Sequence, residues 1–112
     1  MKTSRLLLST LLAAALFSLT ACTIEEEDFP EVYASDVCDK FQSCEPEDFD
    51  AFYDDFEDCV NDWAALTELM MDAADLLGQT YDPDKARDCV QEIRRADCDN
   101  FSSNELTCDI HE

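Results

Sequence analysis

Apolar positions along this chain form two kinds of pattern. From Leu6 to Ala21 they are nearly continuous, interrupted only by Ser and Thr, and Lys2 and Arg5 stand just before them. Further on they recur at steps of three and four, the spacing of a helix buried along one face. Tyr33, Val37 and Phe41 are four apart with Cys38 and Cys44 beside them, which predicts a first helix over about residues 31–43. Pro46, Glu47 and Asp48 suit a first helical turn, and Phe49, Phe52, Tyr53, Phe56, Cys59, Val60 and Trp63 then share a face. The stripe shifts through Leu66, Leu69, Met70, Ala73, Leu76 and Leu77 to Gly78, the only glycine, placed as a helix stop. Residues 46–77 read equally as one long helix or as two, with Asp54 or Asp55 capping the second.

A new helix is predicted after Asp82-Pro83-Asp84, where a capping residue precedes a proline at the first helical position. Ala86, Cys89, Val90, Ile93 and Ala96 face one way along it. The closing segment, Asp99 to Glu112, has Ser102 and Glu105 at capping-box spacing and reads as a short helical turn pinned by a disulfide. No period-two strand pattern or internal repeat appears. The expected fold is therefore all-α, a small disulfide-stapled bundle of three or four helices behind a cleaved signal peptide.

The first apolar run is 16 residues long, short of the roughly 20 a helix needs to span a bilayer. With its basic flank it has the layout of an export signal. Leu19-Thr20-Ala21-Cys22 resembles the lipobox of bacterial lipoproteins. The resemblance implies that residues 1–21 are removed and that Cys22 carries diacylglycerol on its thiol and an acyl chain on its new amine. Two or more chains anchor stably, since each buried methylene contributes about 0.8 kcal/mol and one chain alone is marginal. Thr23 follows, and a lipoprotein without Asp there resembles those sent to the outer membrane where the host has one. Residues 22–31, with Glu25, Glu26, Glu27 and Asp28, read as an acylated acidic tether, and 32–112 as the helical cysteine-rich domain.

Losing residues 1–21 removes two bases and no acid, leaving 28 acids against five bases. Such a surface repels phosphate, which excludes nucleic-acid binding, and it opposes compaction of a small domain. Cysteines offset this. After Cys22, six remain, Cys38, Cys44, Cys59, Cys89, Cys98 and Cys108, which fits three disulfides in an oxidising compartment. Six cysteines allow many connectivities, and the pairing expected here is Cys44 to Cys59, Cys98 to Cys108 and Cys38 to Cys89. No C-x-x-C pair points to zinc, and His111 is the only histidine.

Few residues suggest chemistry. Asp82, Asp84 and Asp88, and likewise Asp97, Asp99 and Asn100, lack the glycine an EF-hand loop requires, so no metal site is expected. Ser35, Ser43, Ser102 and Ser103 have no nucleophile-elbow context, and no catalytic residue is expected. Trp63 is the candidate partner contact in an aromatic stripe that otherwise reads as core. Arg94 and Arg95 complement the end of their helix. The chain is similar to small cysteine-rich lipoproteins of myxobacteria and related bacteria. That resemblance rests on the lipobox, on Val37-Cys38-Asp39-Lys40-Phe41 through Cys44, and on Phe56-Glu57-Asp58-Cys59-Val60. It implies location and not activity. The expected role is a non-catalytic, envelope-anchored interaction or structural module without a cofactor, whose acidic surface meets a basic protein or divalent cations. The alternatives are a small envelope hydrolase using its carboxylates and an inhibitor or immunity-type binding protein.

Overall fold

The computed structural model describes residues 23–106 and 108–112. Residues 1–21, read as a signal peptide, and Cys22 lie outside them. Four helices follow in order: α1 Phe29–Cys44, α2 Pro46–Phe52, α3 Phe56–Leu76 and α4 Pro83–Arg95. Among the described residues the only β pairing is an isolated antiparallel bridge between Tyr81 and His111. The all-α disulfide-stapled bundle is thus the fold.

α1 is the hub, packing on each of the other three helices. It begins inside the segment read as tether, with Pro30 in its first turn. Phe29 and Pro30 are both buried. The reason is a turn: the amides of Asp28 and Phe29 both donate to the Glu25 carbonyl, at 3.0 and 3.1 Å, and swing the Phe29 ring under the bundle. Ile24 packs on the same core, and its carbonyl accepts from the Tyr81 hydroxyl at 2.7 Å. Charge patterning alone hides this, because four consecutive acids, Glu25 to Asp28, mask one apolar residue on each side.

Residues 46–77 form two helices. Tyr53 and Asp55 are extended, and the Asp55 carboxylate accepts from the Asp58 amide at 2.8 Å, so Asp55 is the cap. The break resets the helical register. Phe49 is buried, whereas Phe52 and Phe56, read as the same stripe, are exposed. Asp55→Ala is expected to lower stability by about 1 kcal/mol. Asp54→Ala, which removes the same charge without a cap, should leave it nearly unchanged. Urea denaturation of both variants checks this.

α3 stops where expected. Gly78 adopts φ 80°, its amide donates to Asp75 and the Gln79 amide to Ala74, the paired bonds of a Schellman ending. Asp82 caps α4 through the amides of Asp84 and Lys85. Beyond Arg95 there is no further helix among the described residues. Glu105 N–H donates to the Ser102 carbonyl in a single turn. The end then runs extended, with Asp82 N–H donating to Ile110 and Glu112 N–H to Thr80.

Two core clusters result. One holds Phe29, Tyr33, Val37, Met71, Val90, Ile93 and Ile110 between α1, α3 and α4. The other gathers Phe41, Phe49 and Phe101 around the half-cystines Cys38 and Cys59. The three disulfides are Cys38–Cys59, Cys44–Cys98 and Cys89–Cys108, with Cα separations of 6.0, 5.1 and 5.7 Å. All lie in the ordinary bridging range.

None of these pairs is the one expected from the sequence. α3 packs back along α1, which brings Cys59 level with Cys38 rather than with Cys44 at the helix end. α4 ends beside the end of α1, where Lys40 Nζ donates to the Ala96 carbonyl, and this delivers Cys98 to Cys44. The returning C-terminal segment then meets Cys89 through Cys108.

Candidate functional site

All six cysteines read as disulfide partners are bonded. Cys22, the lipidation candidate, lies outside the described residues. Trp63 is half-buried and packs against both core clusters, with its ring edge to Tyr33 at a centroid distance of 6.4 Å. It also lines a groove of about 600 Å³ between α1, the second half of α3 and the C-terminal segment.

The groove is predominantly apolar. Phe29, Tyr33, Trp63, Leu66, Met70 and Ile110 line it, with Asp109 and His111 at the C-terminal side. Leu66, Leu69 and Met70 are 50%, 67% and 64% exposed, and Leu76 and Leu77 continue the same exposed row. These residues read as core in the sequence. The apolar sector of α3 is wider than its seam with α1, however, and α4 packs on α1 rather than on α3. The excess is left facing solvent. Sequence reasoning missed Leu66, Leu69 and Met70 as surface residues; the signal was the lateral shift of the stripe after Trp63.

Glu68, Asp72 and Asp75 stand about half a turn round α3 from Leu66 and Met70 and line a separate open depression with Glu25, Glu26 and Glu27. Asp109 is the carboxylate that lines the groove itself, 3.6 Å from Lys85 in a largely exposed ion pair. Trp63 Nε1 and His111 Nε2 are covered and have no acceptor or donor in bonding geometry.

Elsewhere charge is used structurally. Arg94 Nε meets Asp36 at 2.9 Å, joining α4 to α1, a more specific role for Arg94 than helix-end complementarity. Burial pushes the Asp36 carboxyl up, and Arg94 pulls it back by charge and hydrogen bond while Asp39 adds a push upward.

The three tyrosines all resist ionisation. Burial raises Tyr33. Tyr53 is pushed up to about 12, first by burial and then by its 2.8 Å bond to Asp62 and that carboxylate's charge. The nearby Trp63 indole pulls slightly the other way. Tyr81 reaches about 12 through burial and the charges of Glu26, Glu25, Asp28 and Asp82.

The folded state therefore keeps protons that the unfolded chain releases near 10. This contribution to stability is complete below that pH and is lost as pH rises toward 12. An ultraviolet absorbance titration is expected to show phenolate appearing late in the native protein and at its ordinary pH in denaturant. Coincident native and denatured curves would refute it.

Among the described residues no group of three or more His, Cys, Asp or Glu is arranged to hold a metal, and no helix is long and apolar enough to cross a membrane. Comparison with known proteins finds no family model that matches the chain, no similar curated protein and no similar solved structure.

Proposed function

We propose that this chain is an envelope lipoprotein, anchored through Cys22, whose folded domain is a non-catalytic interaction module with an acidic surface. The observation that carries the reading is an exposed apolar row on α3, Leu66, Leu69, Met70, Leu76 and Leu77, on a chain with 28 acids and 7 bases. Apolar contact supplies affinity in such a surface, and surrounding charge of one sign selects and steers the partner. The acids lie mainly on open surfaces rather than converging in an enclosed cleft, which favours recognition over carboxylate catalysis.

The anchor reading rests on Leu19-Thr20-Ala21-Cys22, and Cys22 stands two residues before Ile24 in the sequence. Ile24 is already packed on the core. The lipid would therefore hold the domain close to the bilayer rather than at the end of a long spacer.

Intact mass spectrometry of membrane-extracted protein tests this. The expected species begins at Cys22, carries diacylglycerol plus one acyl chain, and lacks six hydrogens. An unprocessed chain with free thiols in the cytosol would overturn it. The interaction reading is tested by recovering partners from envelope extracts on the immobilised domain. Elution of a basic protein by salt is expected, and complete absence of salt-sensitive binding counts against the role.

A further inference from the structure

We propose that the tip of the bundle at the end of α3 is a membrane contact, in which Leu76 and Leu77 enter the interfacial region of the bilayer that holds the Cys22 lipid. The inference rests on the anchor reading above, adds an orientation to it, and leaves the groove beside Trp63 to a protein partner.

The point where the chain leaves the fold supplies the first argument. Cys22 is two residues before Ile24, a reach of at most about 7 Å. Ile24 is held in place, because it packs on the core and its carbonyl accepts from the Tyr81 hydroxyl. Tyr81 is four residues beyond Leu77, at most about 14 Å of chain. A lipid on Cys22 and the end of α3 therefore belong to one end of the bundle.

The tip also gives up water at low cost. Leu76 to Tyr81 is the longest stretch without a charged residue after Cys22, and the acids of this half of α3, Glu68, Asp72 and Asp75, stand on the helix side away from Leu77. Leu76 and Leu77 are 90% and 78% exposed, and neither lines the groove. They project where a broad, fluid apolar phase reaches them. The backbone beneath them is satisfied from within, since the amides of Leu77 and Gln79 donate to Ala74, that of Gly78 donates to Asp75, and the Thr80 carbonyl accepts from Glu112. Entry into the interface strands none of these groups.

Charge selects the lipid. Glu25, Glu26, Asp28 and Asp82 stand close enough to Tyr81 for their charges to act on it. An anionic leaflet repels that cluster, whereas a zwitterionic one does not. The same acids hold the tip to the depth of about 5–10 Å that surface-bound apolar faces reach, because burying them deeper is costly.

The test uses the lipid-modified protein, extracted from membranes and reconstituted at low density in phosphatidylcholine vesicles with or without bromine on the acyl chains. Bromine quenches tryptophan only at close range, and Trp63, the sole native tryptophan, gives the background. Leu77→Trp puts a reporter at the tip. Phe52→Trp puts one at an exposed position on α2, beyond the end of α1 opposite to Tyr81.

The emission added by Leu77→Trp is expected to fall about twofold or more in brominated vesicles, while that added by Phe52→Trp stays unchanged. Leu76→Asp combined with Leu77→Trp should restore most of the lost emission. Phosphatidylglycerol mixed into the vesicles should weaken the quenching at low salt, and high salt should bring it back.

Equal quenching at both positions, or none at Leu77→Trp, overturns the contact while the anchor stands, because mass spectrometry of the same sample reads the lipid on Cys22 independently. Absence of that lipid removes both. Quenching that requires anionic lipid, or that disappears at high protein density because a second copy covers the tip, also overturns the proposal.

Discussion

Reducing the three disulfides is expected to unfold the domain near neutral pH and low salt, with loss of most helical circular dichroism. The argument starts from charge. With 28 acids in the chain, folding confines far more negative than positive charge, and a chain of this length buries too little apolar surface to absorb that cost easily. The covalent links act on the other side of the equilibrium by restricting the unfolded ensemble. Cys44–Cys98, with a sequence separation of 54, contributes about 4 kcal/mol in the loop-entropy treatment. Cys38–Cys59 and Cys89–Cys108, separated by 21 and 19, contribute about 3 kcal/mol each. Together these rival the whole net stability of a typical domain, about 5–15 kcal/mol.

Cys44→Ser with Cys98→Ser should therefore cost about 4 kcal/mol, read from urea denaturation of the otherwise oxidised protein. Retention of a cooperative transition at the same midpoint after full reduction would show that the core alone suffices. High salt should partly restore the reduced protein by screening its carboxylates.

Phe29→Ala is expected to cost about 3–5 kcal/mol, the range for removing a buried phenylalanine. Phe29 is 2% exposed, stacks on Tyr33 at a centroid distance of 5.4 Å and reaches Tyr81 at 6.1 Å. It also forms part of the groove wall. A residue in a solvated tether would tolerate this change without measurable effect. The variant thus separates a domain that starts at Phe29 from one that starts after residue 31, using the midpoint of urea or thermal unfolding. An unfolding curve superimposable on that of the parent would return residues 29–31 to the tether.

Much of the architecture is legible in the order of residues. The helix over Pro83–Arg95 is announced by Asp82 and Pro83, because capping and a fixed proline φ are local properties. The stop at Gly78 is equally local, since a positive φ strains any residue with a Cβ. The even cysteine set after Cys22 predicts three disulfides by number alone. The exposed apolar face of α3 is hidden in the sequence, because an apolar stripe looks the same whether a neighbouring helix covers it or not. Met70 belongs to the stripe read along α3 and is exposed, whereas its neighbour Met71, outside that stripe, is buried, because α4 packs on α1 and leaves that side of α3 uncovered.

Local rules written in the chain thus determined the helices, their caps and the even count of six half-cystines, because each depends on residues within a turn or two of one another. Tertiary packing alone decided which cysteines meet, that Phe29 belongs to the core, and that the second half of α3 is left uncovered. Those outcomes depend on which helix lies beside which, and that is set by the summed burial of distant side chains rather than by any one segment.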